Sequence, residues 1–324
     1  MWGLLTKQWF LIALAICFAT AYLLAETLAP LLEMTILRGS IVFVVMWAMG
    51  VTLKADTIRQ SIHQPIPSLL AITINMLVVP LLCIPTQWVL PPHLFGGLFV
   101  AAIVPCTLAS ASVWTRKANG DDSIAMMTTV VTNLACIAVV PIGISLVLSQ
   151  QAQVDAMMQI KKLSILVVLP LVLAQIMRRV ALAPWADRNK SRISVFSQIG
   201  ILAMVVFGAV ASGNFLSSDK TSSTTWIAGI VIVSAAAAIH VGALWLGIVV
   251  AKRTGQTRDR QIAVGIAGSQ KTLMVGLQIA IDCGVSVIPM LIYHFNQLVI
   301  DTIIAARWKD ASSRQSASSE TPED

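Results

Sequence analysis

Charge is scarce in this chain. Only 11% of its 324 residues are Asp, Glu, Lys or Arg, whereas a soluble domain carries about a quarter, so a water-soluble core is excluded. Cysteine is also sparse. Cys17, Cys83, Cys106, Cys136 and Cys283 lie in or at the ends of apolar runs, with no CxxC pair and no His at ligand spacing. That sets aside a disulfide framework and a zinc site and leaves small buried hydrophobes. His240, His294 and Asp301 make no recognisable metal or nucleophile constellation, so an enzyme is not expected. Short segments of alternating polarity are missing too. A stretch such as 227–251 is apolar on every face, which excludes a transmembrane barrel and leaves helices.

What remains is hydrophobic length. Apolar residues make up 57% of the chain and the mean hydropathy is +0.82. Runs of about 18 residues or more, enough to cross roughly 30 Å of hydrocarbon, recur almost throughout. They predict an all-α membrane protein with about ten transmembrane helices near 9–25, 37–53, 66–86, 96–116, 122–149, 159–178, 193–213, 225–251, 260–281 and 286–306. The first run follows Lys7 but is long, and Leu23-Leu24-Ala25 is a poor cleavage site, so it reads as a retained helix and not a signal peptide. Between helices 4 and 5, Asn119-Gly120 is a strong breaker, and Asp121 or Asp122 can cap the next helix, giving a tight hairpin.

Basic residues test this count independently, because cytoplasmic loops hold the excess of positive charge. With the N-terminus inside, one side collects Lys7, Lys54, Arg59, Arg116, Lys117, Arg178, Arg179, Arg188, Lys190, Arg192, Lys252, Arg253, Arg258, Arg260, Arg307, Lys309 and Arg314. The other keeps Arg38, Lys161, Lys162 and Lys220, and only Lys271 is left over. The alternation predicts an integral protein of a bacterial inner membrane with both termini cytoplasmic. The net charge of +7 then reflects topology and contact with anionic membrane lipids, with no nucleic-acid partner implied. Residues 308–324 have no hydrophobic pattern and predict a disordered cytoplasmic tail.

Two segments break the pattern that lipid tolerates: Pro105-Cys-Thr-Leu-Ala-Ser-Ala-Ser112 in helix 4 and Gly265-Ile-Ala-Gly-Ser-Gln-Lys-Thr272 in helix 9. Small-residue helix packing is the alternative reading of either alone. Each, however, is the fourth helix of a set of five. An odd set must be followed by one of opposite orientation, so residues 1–150 and 151–307 predict two inverted five-helix repeats, the layout of many secondary transporters. Discontinuous helices in that layout lie at the binding site.

Lys271 is about 16 Å from the start of helix 9 near Arg260, too deep to snorkel easily. A cost of about 2.5–3.5 kcal/mol for a charge at that depth requires a partner or water. It reads as a buried lysine satisfied by carbonyls of the broken helices, an anion anchor, a proton carrier, or a fixed charge in place of a bound cation. Asn75, five residues before Pro80, can break or hydrogen-bond helix 3 at depth. His294, Asn296, Gln297 and Asp301 give helix 10 a polar face, with His294 open to a cavity or a packing role and Asp301 assigned to an interfacial ion pair with Arg307. His240 reads like His294 but with fewer polar neighbours. Glu26 and Glu33 fall in a solvated loop.

At these residues the chain resembles the bile acid:sodium symporter family, the solute carrier family 10 and its bacterial relatives. The matches are Asn75-Met-Leu-Val-Val-Pro80, Pro105 to Ser112, Asn119-Gly120 with Thr128-Thr129, Gly268-Ser-Gln-Lys-Thr272 and Pro289-Met-Leu-Ile-Tyr-His-Phe-Asn-Gln297. Tyr293-His294 with Gln297, and the Gln-Lys-Thr run, look most like the branch of its seventh member. The resemblance implies a panel domain of helices 1, 2, 6 and 7 and a core domain of the others, with helices 4 and 9 crossing at their breaks and substrate between the domains. It places Ser112 and Thr129 at one sodium site, and Asn75, Ser269 and Gln270 with nearby carbonyls at the other. Thr107, Ser110, Lys271, Thr272 and His294 are the substrate-site candidates. One departure is plain: Ile266 stands where the family has a sodium-binding Glu, and Ala125 where it has a hydroxyl. Both remove oxygens that a hard cation needs.

The reading is a secondary active transporter, bile acid:sodium symporter-like, moving a small organic anion by alternating access without a cofactor, with sodium or a proton as the coupling ion. A non-transporting membrane regulator or sensor with a degenerate site is the alternative.

Overall fold

The computed structural model describes residues 9–54, 65–108, 110–148, 155–218 and 225–319. Lys7, Arg59 and Lys220 of the charge tally, Ala109 of the first break and the tail after Ser319 lie outside the described residues. All regular elements among the described residues are helical.

In chain order they are α1 (Trp9–Leu23), α2 (Thr35–Val51), α3 (Pro65–Trp88), α4a (Pro92–Ile103), α4b (Ala111–Lys117), α5 (Asp122–Val147), α6 (Ala156–Arg188), α7 (Lys190–Ser218), α8 (Thr225–Arg253), α9a (Arg258–Ser269), α9b (Leu273–Asp282) and α10 (Ile288–Ser319). Helices α3, α5, α6, α7, α8 and α10 are each long and apolar enough to cross a membrane. The chain after α1 turns by 87° into a short helical segment ending at Glu33, while α2 and α4a are shorter apolar helices. The outer surface is oily: Leu23, Ile36, Leu146 and Ile230 are all more than two thirds exposed, as a lipid-facing surface demands.

The helices pack in two groups. In one, α7 lies along α1 and α2, and α6 along α2; in the other, α9a lies against α3, α5 and α8, and α10 against α4a and α8. Close approach is built in at Gly265, where a Cβ would meet the Leu244 carbonyl of α8 at 2.8 Å. At the α4b to α5 hairpin Asn119 adopts φ 60°, and Asp121 caps α5 by accepting from the Ser123 N–H at 3.0 Å. Arg116 pairs with Asp122 across the turn.

The backbone of α10 runs on helically to Ser319. Lack of apolar residues removes burial there, but Ala311, Arg314 and Ala317 are good helix formers, and no Gly or Pro interrupts before Pro322. Arg38 lies at the N-terminal end of helix 2, within its predicted span. It sits in the first turn of α2 at 5% exposure, held by Asp282 of α9b at 3.0 Å and Gln278 at 3.1 Å. Lys162 of α6 reaches the same carboxylate at 2.6 Å.

Candidate functional site at the helix crossing

Both breaks form as the sequence requires. Pro105 disfavours the helical region for the residue before it, and Val104 is extended (φ −65°, ψ 157°). In helix 9, Gln270 and Thr272 are extended (ψ 138° and 130°) and separate α9a from α9b. The breaks meet: the Thr272 N–H donates to the Pro105 carbonyl at 2.9 Å.

A helix that stops inside a membrane protein must find partners for its last carbonyls. At the end of α9a all of them are met. Ile266 O accepts from the Gln270 N–H and the Ser269 hydroxyl. The Asn75 amide, with two hydrogens, bridges Ala267 O (3.3 Å), Gly268 O (3.2 Å) and Gln270 O (2.9 Å). Ser269 O faces the Tyr293 hydroxyl at 3.1 Å and His240 Nδ1 at 3.3 Å. Gln297 pairs with both backbone groups of Lys271, accepting from its N–H and donating to its carbonyl at 2.9 Å each. The same Gln297 amide nitrogen donates to His294 Nδ1 at 2.9 Å, which fixes His294 as a neutral acceptor there.

The first break is held in the same manner by α5. Thr132 accepts from the Cys106 N–H at 3.1 Å, Asn133 donates to the Cys106 carbonyl at 2.9 Å, and Thr129 donates to Thr107 O at 3.2 Å. Cys106 to Thr132 is 26 residues, and so is Lys271 to Gln297. One common offset along the chain carries Asn75, Cys106 and Thr132 onto His240, Lys271 and Gln297.

Lys271 is fully buried. Its ammonium contacts Asn75 O at 2.5 Å, Val104 O at 3.0 Å and Asn75 Oδ1 at 3.2 Å. The Asn75 carbonyl is free to accept because α3 makes a π turn over Ile74–Val78, in which the Val79 N–H bonds Ile74 O instead. Pro80, next in line for that carbonyl, has no N–H. Of the substrate-site candidates, Ser110 donates to Gln270 Oε1 at 2.8 Å and lies 3.4 Å from the Thr107 hydroxyl. Thr272 enters through its backbone and His294 through Gln297. Ser112 is half-buried at the start of α4b and takes no part in these hydrogen bonds.

The sequence placed Asp301 wrongly. It has no exposed area and makes no pair with Arg307. Its carboxylate receives Gln270 Nε2 at 2.5 Å and faces His240 Nε2 at 3.0 Å. Counting 1.5 Å per residue to Arg307 located it along α10 but not around it; the seven-residue step from His294, which puts both on one face, was the better signal. Both nitrogens of His240 face oxygens, Nδ1 the Ser269 carbonyl and Nε2 the Asp301 carboxylate. Thr132 and Asn133, which hold the first break, carried no sequence signal beyond being polar in an apolar helix.

Paired discontinuous helices whose breaks cross at a buried polar centre are the layout of many membrane transporters. The chain belongs to the SBF-like CPA transporter family, whose model matches residues 8–310. It is 25% identical over 239 residues to "Putative symporter YfeH" of Escherichia coli, covering 72% of this chain and 71% of that one. It is 28% identical over 240 residues to "Probable sodium/metabolite cotransporter BASS4, chloroplastic" of rice, covering 67% and 56%. With "Sodium/bile acid cotransporter 7" of Xenopus tropicalis it shares 23% over 339 residues, covering 97% and 95%.

Two of those names carry sodium, and the residues at the second break do not fit it. Near the second break, Asn75 O, Asn75 Oδ1 and Val104 O are occupied by Lys271, and the remaining carbonyls by Asn75, His240 and Tyr293. Near the first, Thr129 and Asn133 already satisfy Thr107 O and Cys106 O. Ile266, buried at 1% exposure, supplies no oxygen.

Proposed function

We propose that the chain is a secondary transporter of a small organic anion that works by alternating access between the α1, α2, α6, α7 group and the remainder. The observation that carries this reading is the Thr272 to Pro105 hydrogen bond, which ties two helix breaks at matching places in the two halves. The common offset among Asn75, Cys106, Thr132 and their counterparts supports two inverted repeats. The relatives' names support an organic substrate, with bile acids among the first to try. Thr107, Ser110, Thr272 and His294 line the anion side of the crossing in this reading, with the N-terminus of α9b favouring negative charge. The loop charges support an inner-membrane protein with both termini cytoplasmic.

Counterflow into proteoliposomes preloaded with a bile acid or another carboxylate tests it. Saturable uptake is expected for the wild type. A loss of roughly tenfold or more is expected for Thr272→Pro, a change that suits φ −79° but deletes the N–H that reaches Pro105. No flux of any anion in any ion gradient, with a protein partner recovered by crosslinking in the membrane, would favour a regulator.

A further inference from the structure

The oxygens around Lys271 form a cation cage in which the cation is covalently part of the chain. Three independent features build it. The π turn and Pro80 strip Asn75 O of its helical partner. Val104 O lies at the end of α4a, just past Ile103. Asn75 Oδ1 must face the ammonium because its amide nitrogen is held by Ala267, Gly268 and Gln270. All three are neutral oxygens, and α4a ends at Val104 O beside Lys271 Nζ, bringing about half a negative charge from its C-terminus.

We propose that the Lys271 ammonium is the tethered cation of the α4 to α9 crossing, and that it excludes sodium from this position. The cage takes a monovalent cation of ammonium or sodium size, and the chain carries its own. Truncating the side chain therefore converts a closed cage into a binding site for a free small cation. As to coupling, the inference rests on the transport reading above, but cage occupancy can be measured without any solute.

The test is thermal unfolding of the purified full-length protein in detergent, followed by tryptophan fluorescence, with sodium or methylammonium chloride replacing choline chloride at constant ionic strength. The wild-type Tm is expected to be the same in all three salts. Lys271→Ala is expected to unfold roughly 5 °C lower in choline and to recover in a saturable manner with sodium or methylammonium. Lys271→Met, which fills the space without a charge, is expected to stay low in every salt. A saturable sodium-dependent rise in the wild-type Tm that disappears in Asn75→Ala would overturn the proposal, as would a Lys271→Ala protein with wild-type Tm and no cation response. If Lys271→Ala does not fold, binding of radioactive sodium to the wild type decides: none supports the cage, and saturable binding abolished by Asn75→Ala refutes it. Absence of anion flux in the counterflow experiment would leave these outcomes unchanged, so the two readings fail separately.

Discussion

Gln297 forms two hydrogen bonds to the backbone of Lys271, one to its N–H and one to its carbonyl, each 2.9 Å long. A side-chain amide thus does for an interrupted helix what the next turn would have done. The consequence is that a non-helical residue persists in the middle of a buried segment without an unpaired backbone group.

Replacement of Gln297 by Leu keeps the volume and removes both bonds. With about 1 kcal/mol for each bond and more for leaving the Lys271 backbone unmet, a loss of about 2–4 kcal/mol is expected. It should appear as a lower Tm for purified Gln297→Leu. Asn296→Ala, one residue away and half-buried with a single bond to Val233 O at 3.0 Å, is the comparison and should cost less; equal effects of the two would refute the role given to Gln297.

Asp301 is expected to act as a unit with His240. Asp301→Ala leaves His240 and Gln270 facing an empty site and should destabilise by about 3 kcal/mol. Asp301→Asn, which still offers an oxygen, should cost less. In a double-mutant cycle the combined Asp301→Ala and His240→Ala change should cost clearly less than the sum of the two. Strict additivity would show that the 3.0 Å contact carries no coupling.

Asp282 joins the two helix groups, since its carboxylate holds Arg38 of α2 and Lys162 of α6. Asp282→Asn removes the charge that both cations share and should loosen this edge of the interface. Cys283, next in sequence and 6% exposed, reports on it: its labelling by a polar maleimide in detergent should rise roughly tenfold, equivalent to about 1.4 kcal/mol. An unchanged rate would mean that the ion pairs do not hold the edge closed.

The helices and the breaks were legible in the sequence because their causes are local. Apolar length sets the spans, Asn119-Gly120 sets the hairpin, and Pro105 ends α4a wherever the rest of the chain goes. Lys271 was legible as a problem, since a cation at that depth needs partners, but its solution was not. The ammonium is met by a carbonyl freed through a π turn in α3, and hydropathy does not reveal a change in helical register. Asp301 shows the same limit from the other side. Its neighbours His240 and Gln270 come from helices far along the chain, and spacing within α10 ranks faces without saying what stands opposite each. The partner of Arg38 was hidden for a similar reason: Asp282 lies 244 residues away.

A tethered cation has a consequence for electrical bookkeeping across the membrane. A bound sodium ion is picked up on one side and released on the other, adding its charge to that of the solute. In the proposed alternating-access cycle, a Lys271 that keeps its proton would return with the protein at every turn, so its charge would cancel over the round trip. If Lys271 is the only cation at the crossing, the net charge moved per solute is the solute's own. A membrane voltage, worth about 2.3 kcal/mol per charge at 100 mV, would then oppose the entry of an anion into a cell with a negative interior and favour its exit.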